Sequence, residues 1–495
     1  MPPEGRGRAS GIRTGDVRTG DVRTGDVRAL EVRTWDARVL RAVRQRLVAP
    51  LALLAVAASC TAAPPQPNPS LRRSVSGGDI AGRGRHQPGT PRLVGIVLSS
   101  SAPSGTLSAT GEWHLYAAGD RLLVRGTGRG SWTIARRGSK VRVASRDGLA
   151  ATREGTLVAQ PAAPETFLTW NGRPYRGTLE LTATSNGLLV VNRLPVEDYV
   201  RGVVSQELGA VGPADSAAVQ AQAVAARSYA YTRLNDPDIP PGGRRYDLVA
   251  TVTDQVYGGV AGETAVGNAA VASTSGIVIT YGGRVVNAPY HASCGGTTAE
   301  PEEVWRAPSQ PYLQRVSDQI PGTDHYYCEG SAEFRWARTF TRAELNAALE
   351  RNLRTYAVSG GAGPSGEGYG GVPGGADVSG PIGSVRSVAV DALTPSGRVA
   401  WITVATDRAT YRVRGNDIRF VFRLPRGEIL KSTYFLIDDE PMRDGRLASL
   451  TLRGRGNGHG VGMCQWGAIG RARAGQDFQT ILGTYYPGTT LAHED

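Results

Sequence analysis

The spacing of apolar residues changes near Leu194, and that change limits the chain to folds that set helices beside antiparallel strands. From Leu93 onward the sequence runs in short alternating segments: LVGIVL, GEWHLYAAG, RLLVRG, SWTIARR, KVRVAS, TFLTW, TLELTAT and GLLVVNRL. Each is bounded by Gly, Ser or Asp-Gly turns, the pattern of strands with one buried face. Between Leu194 and Leu234 the spacing becomes helical. Pro195 suits a first helical position, Glu197 and Asp198 favour the positive end of the helix dipole, and Gly209 offers a stop. The alternation returns over 385–415, VRSVAVDALTPSGRVAWITVATDRATYRVRG. The expected class is α+β: a β-rich N-terminal portion over 93–190, a helical active-site layer, then further antiparallel strands. The Gly-rich stretch 359–382 reads as a surface insertion with almost nothing to bury.

One carboxylate breaks the helical pattern. The stripe Val196, Val200, Val203, with Val204 beside it, continues at helical spacing onto Glu207, where another valine belongs. Burial there disfavours the charged form and raises the pKa, as a general acid working near neutral pH requires. The alternative is a helix-end Glu that snorkels to water. The next helix, expected from near Pro213, is built on alanine, with Val219, Ala223, Ala226 and Ala230 down one face. Gln220, Val224, Arg227 and Tyr231 share a neighbouring face. Arg227 either grips a polar substrate or pairs with a carboxylate of its own domain.

With 495 residues the chain is long enough for one large or two ordinary domains. Its formal charge of +12 is unevenly spread: residues 1–90 hold 15 Arg and 7 acids, a net +8, which leaves +4 for the remaining 405 residues. No nucleic-acid motif accompanies that modest balance, so nucleic acid is not an expected partner. Residues 1–40 are dominated by a five-residue repeat, RTGDV three times from Arg13, which matches neither helix nor strand. The repeat is either a low-complexity arm or sequence upstream of the true start. Over 41–60, Arg41, Arg44 and Arg46 precede an apolar run from Leu47 to Ala58 that is too short to span a bilayer and ends in AVAASC. It has the form of a secretory signal, or of a lipoprotein signal with lipidation at Cys60. Residues 61–92, rich in Pro, Ser, Gly and Arg, read as a flexible linker. The expected location is outside the membrane, on its outer face or in the cell wall, with contact to the bilayer only through the N-terminal anchor.

Four blocks together resemble a known family. LPVEDYVRGVVSQELG followed by AVQAQAVAARSYA, DQVYGG at 254–259, YHASCGGTTA at 290–299, and GNGHGVGMCQWGA at 456–468 with TYYPGT at 484–489 occur in this order. They resemble the signatures of the stage II sporulation protein D / LytB family, over about 191–491 of this chain. The resemblance implies a lytic transglycosylase of peptidoglycan that leaves 1,6-anhydro-N-acetylmuramic acid ends, with Glu207 as acid and base and no cofactor needed for the chemistry. It equally admits a non-catalytic wall-binding module that enhances a cell-wall amidase. Gln222, Arg227, Gln255, Tyr257, His459 and Gln465 are the candidate saccharide contacts. Tyr257 and Trp466 offer rings for stacking, and Asp254, Glu263 or Asp198 stand as candidate second carboxylates.

Two H-x-x-C pairs, His291 with Cys294 and His325 with Cys328, occur in a chain of only six histidines. They form a tetrahedral donor set suited to structural zinc, with a Cys294–Cys328 disulfide as the competing reading. Family members with zinc near the third signature tilt the expectation to metal. Cys464 stands where the family usually has serine, and reads as a small buried thiol in a tight turn.

Overall fold

A computed structural model describes residues 91–494, except 129, 236–244, 252–253, 306, 358–379, 425 and 442–445. The repeat over 1–40, the export segment over 41–60, Cys60, and the linker up to Thr90 therefore lie outside the described residues.

The alternating segments build two stacked sheets. In the larger, the strand order is Leu248–Val249, Leu93–Ala102, Gly187–Pro195, Thr178–Thr184, Leu157–Pro161, Trp113–Ala117 and Arg121–Gly126. Its neighbours are antiparallel except the short pairing of Ile96 with Leu248. The second sheet runs Arg173–Tyr175, Leu168–Trp170, Ser104–Ala109, Trp132–Arg137, Lys140–Ser145 and Ala150–Glu154. Alternate residues of both sheets, including Leu115, Leu179 and Leu181 from one and Leu107, Ile134 and Val143 from the other, fill one core. Strands over 104–109, 150–154, 157–161 and 173–175 join those expected, and the last strand runs on to Pro195.

That strand feeds directly into helix α1, Val196–Leu208. Val196, Val200, Val203 and Val204 are buried on the sandwich core as the stripe requires. Gly209 stops the helix with φ of 73°. Pro213–Asp215 is a tight 3-10 turn, and α2 follows over Ser216–Leu234. This helix is buried almost all round, and its alanines explain how. Val219, Ala223, Ala226 and Ala230 face the sandwich core, while Ala218, Ala221, Val224 and Ala225 face a second core. Small side chains let one helix serve as the shared wall of both.

The second core gathers α3, Gln465–Arg473, and α4, Phe478–Tyr485, with the loops around residues 288–334. Tyr290–His291 pairs in parallel with Met463–Cys464, which seats the third sequence block against the fourth. A third core lies within 340–452, where two three-stranded antiparallel sheets enclose Phe340, Leu349, Ile402 and Leu452. It contains a 16-residue helix, Arg342–Ala357, absent from the sequence expectations. Most of the Gly-rich stretch lies outside the described residues, but Ile382 at its end is fully buried in this core.

Candidate active site

Glu207 sits in the last turn of α1, half-buried, and elements distant in sequence converge on its carboxyl group. The Val256 N–H donates to Oε1 at 2.6 Å, and the side chains of Gln465 and Tyr290 also hydrogen-bond the carboxyl group. A directed chain stands behind Tyr290. The Tyr199 hydroxyl donates to Gln255 Oε1 at 2.7 Å, and Gln255 Nε2 donates to the Tyr290 oxygen at 2.9 Å. Because that oxygen already accepts from Gln255, the Tyr290 O–H is directed onward to Glu207. Gln465 Nε2 approaches Gln222 Oε1 at 3.3 Å. Helix α1 thus supplies the carboxylate, α2 Gln222, the 254–259 block Gln255 and Val256, the 290–299 block Tyr290, and the last block Gln465. All four recognised blocks meet at one group.

Burial raises the Glu207 pKa, while the three hydrogen-bond donors oppose the shift without cancelling it. The negative end of α1 adds to the upward push, since a carboxylate in the last turn faces unpaired carbonyls. An ionised carboxyl group has about four lone-pair positions, of which three are engaged by these donors. The remaining position is available for a transferred proton. Among the described residues no neighbouring carboxylate contributes to the rise. Asp254 instead accepts from Tyr229 at 2.8 Å and from the Val249 N–H at 2.8 Å. Glu263 is held in both oxygens by Arg176 at 2.6 and 2.9 Å, and Asp198 faces Arg201 at 3.9 Å.

Several expected saccharide contacts are turned inward. Arg227 is fully buried and binds Glu197 through two nitrogens, at 2.6 and 2.8 Å, with Ile277 O at 2.9 Å. It is the domain's own ion pair, not a surface grip. Tyr257 is 5% exposed, its ring packed between Tyr199 and Tyr175, and its hydroxyl donates to Asn192 at 2.8 Å. It has no open face on which a sugar could stack. His459 is also committed: Nε2 bonds to Tyr290 O at 2.8 Å and Nδ1 accepts from the Val461 N–H at 3.1 Å. Burial pushes its pKa down to about 3, so the ring is neutral and holds the backbone of Tyr290. Gln222, Gln255 and Gln465 are buried and act from behind the carboxylate. Tyr290 and Tyr199 were not singled out in the sequence, although Tyr290 begins the third block and Tyr199 lies inside the first.

The metal-ligand expectation is also corrected. Cys294 and Cys328 do meet, at an Sγ–Sγ distance of 3.5 Å, but with Cys464 and Asp318 and not with the histidines. His291 directs Nδ1 to Val461 O at 3.1 Å and lies beside His459. In extended backbone an H-x-x-C spacing sends the two side chains to opposite faces. His325 is exposed and paired with Glu329 at 2.9 Å. All three cysteines of the described residues are unbridged.

Residues 184–281 match the family model described as Stage II sporulation protein, and residues 376–462 match a domain of unknown function (DUF8618). The chain is 29% identical over 324 residues to an uncharacterized protein of Brachyspira hyodysenteriae, covering 65% of this chain and 73% of that protein. It is 28% identical over 361 residues to stage II sporulation protein D of Bacillus subtilis, 70% of this chain and 88% of that one. With the amidase enhancer of Bacillus subtilis it shares 29% identity over 319 residues, 59% of this chain but only 40% of the enhancer. The resemblance carried by the four blocks holds across most of the chain, and a cell-wall-related function is supported.

Proposed function

We propose that this protein, which carries a stage II sporulation protein domain over residues 184–281, cleaves the glycan strands of peptidoglycan as a lytic transglycosylase. The convergence of four sequence blocks on Glu207 is the observation that carries the reading. Protonated Glu207 gives its proton to the glycosidic oxygen as the bond from the N-acetylmuramic acid anomeric carbon to that oxygen breaks. The resulting carboxylate takes the proton of the muramoyl 6-hydroxyl as its oxygen bonds to the same carbon, closing a 1,6-anhydro ring. No water is consumed. One carboxylate suffices because the nucleophile belongs to the substrate, whereas hydrolysis would need a second at a set separation. The commitment of Asp254 and Glu263 to other partners supports the single-carboxylate route. Tyr290, Gln465 and the Val256 amide stabilise the carboxylate between its two proton transfers; Gln255, Tyr199 and His459 are positioning residues behind them.

In this reading the protein acts outside the membrane, exported by the 41–60 segment and held there through Cys60 or released after signal cleavage. A second reading, enhancement of a cell-wall amidase without catalysis, is favoured by the similarity to a protein named amidase enhancer and by the inward turn of the expected saccharide contacts. Digestion of purified glycan strands, with and without stem peptides, separates the two. Anhydro-muramoyl ends from the wild type and none from Glu207→Gln support the enzyme. No product from the wild type, together with equal stimulation of an added amidase by both proteins, supports the enhancer.

A further inference from the structure

The second core holds a group that the glycan chemistry does not use. Cys294, Cys328, Cys464 and Asp318 are all fully buried, and one donor atom from each lies within 4.8 Å of every other. The four come from separate places: the third block, the tight turn Tyr327–Gly330, the residue that caps α3, and the loop between them. The Cys294–Cys328 sulfur separation is 3.5 Å, and Cys294 Sγ lies 3.2 Å from Asp318 Oδ2. A tetrahedral zinc with bonds of about 2.3 Å to sulfur and about 2.0 Å to oxygen has edges of roughly 3.8 Å and 3.5 Å, so these two pairs need to open by about 0.3 Å while the wider pairs of the group close to make a shell.

The surroundings are those of a ligand set. Asp318 Oδ1 accepts from the Tyr485 hydroxyl at 2.6 Å and Arg471 Nη2 at 3.2 Å, which orients Oδ2 toward the sulfurs. Backbone N–H groups point at sulfur: Cys294 N and Gly467 N at Cys464 Sγ, 3.1 and 3.3 Å, and Gly296 N at Cys294 Sγ, 3.3 Å. Four anionic donors around a dication leave excess negative charge, and two buried guanidiniums offset it. Arg471 does so directly through Asp318, and fully buried Arg398 donates to Cys294 O at 3.0 Å while its Nε and Nη1 find no hydrogen-bond partner among the described residues.

We propose that Cys294, Cys328, Cys464 and Asp318 bind one structural zinc ion. Neither histidine of the H-x-x-C pairs is a ligand. Four protein donors close the shell, so the ion activates no water. Its role is to pin together the loop after Tyr290 and the start of α3 with Gln465, the two pieces that bring Tyr290 and Gln465 to Glu207. A disulfide between Cys294 and Cys328 would satisfy two sulfurs and leave the third beside a buried carboxylate.

The full chain, purified aerobically without thiol or chelator, is analysed for metal by mass spectrometry and for disulfides by alkylation and peptide mapping. One zinc per chain with three alkylatable cysteines after denaturation is expected. Replacement by cobalt reads the ligand set without mutation: a thiolate-to-cobalt charge-transfer band of three-sulfur intensity and tetrahedral visible bands. Cys464→Ser and Asp318→Asn should weaken metal retention against a chelator by at least about tenfold, and His325→Ala should leave it unchanged. A metal-free chain bridged between Cys294 and Cys328, a two-sulfur cobalt spectrum, or zinc lost on His325→Ala and kept on Cys464→Ser would overturn the assignment. These readouts are independent of glycan cleavage.

Discussion

Removing the two partners of the Arg227–Glu197 pair one at a time should have unequal effects, because their surroundings are unequal. Arg227 is fully enclosed, whereas 31% of the Glu197 side chain is exposed. In Glu197→Ala the guanidinium keeps only carbonyl partners, Ile277 O at 2.9 Å and a long contact to Val271 O at 3.5 Å. An uncompensated buried charge of this kind costs about 3–5 kcal/mol. In Arg227→Met the volume is filled, and Glu197 retains the Gly276 N–H at 3.2 Å and turns to water. That loss should be about 1–2 kcal/mol, chiefly from carbonyls left without a donor. The double variant should therefore be more stable than Glu197→Ala alone, since it removes the stranded charge. Urea unfolding of the four proteins by fluorescence and circular dichroism measures this cycle. A double variant as unstable as the sum of the two singles would refute the asymmetry. Glycan affinity that falls in folded Arg227→Met at unchanged stability would return Arg227 to the substrate.

Glycan cleavage should decline as pH rises through the Glu207 pKa, which lies above the ordinary value of 4.5, because the first step needs the protonated form. Tyr290→Phe removes a donor that favours the anion, so a pH–rate profile should show this basic limb moved further up, by about one unit if the bond contributes about 1.4 kcal/mol. Glu207→Gln should be inactive yet gain stability relative to wild type as pH increases from 4.5. The sign follows from linkage: a raised folded pKa stabilises at low pH and is lost as pH rises, and glutamine lacks that loss. Thermal melts at several pH values check it. Gly470→Ala should destabilise, although the same change in an open helix stabilises by roughly 1 kcal/mol. Its Cβ would stand 2.0 Å from the Tyr327 carbonyl oxygen, where α3 meets the turn carrying Cys328. A raised melting temperature would contradict that packing.

The periodic part of the fold was legible because it depends on neighbours in sequence. The Val196–Val204 stripe, the stop at Gly209 and the alternating strands are local patterns that burial then honours. Glu207 was legible for the same reason, as a carboxylate on a valine stripe. Spacing tells which face a side chain occupies but not what stands opposite. Thus Arg227 was correctly set on a face beside Gln220 and Tyr231, while its partner Glu197 comes from 30 residues away. Cys464 joins Cys294 across 170 residues, and nothing local marks Asp318 as their neighbour. The H-x-x-C pairs misled because proximity in sequence is not orientation in space. Tyr257 misled because an aromatic ring suits a buried hydrogen bond as well as a ligand, and His459 takes the buried hydrogen bonds that its imidazole offered as the alternative to a sugar contact.

In the proposed reaction Glu207 alone transfers both protons and the substrate's own hydroxyl is the nucleophile. Cleavage of purified glycan strands in heavy-oxygen water, followed by mass spectrometry of the new muramoyl ends, tests it most directly. Anhydro ends without heavy oxygen are expected from the wild type, and no new ends from Glu207→Gln. Reducing ends carrying heavy oxygen, or anhydro ends formed equally by Glu207→Gln, would contradict it.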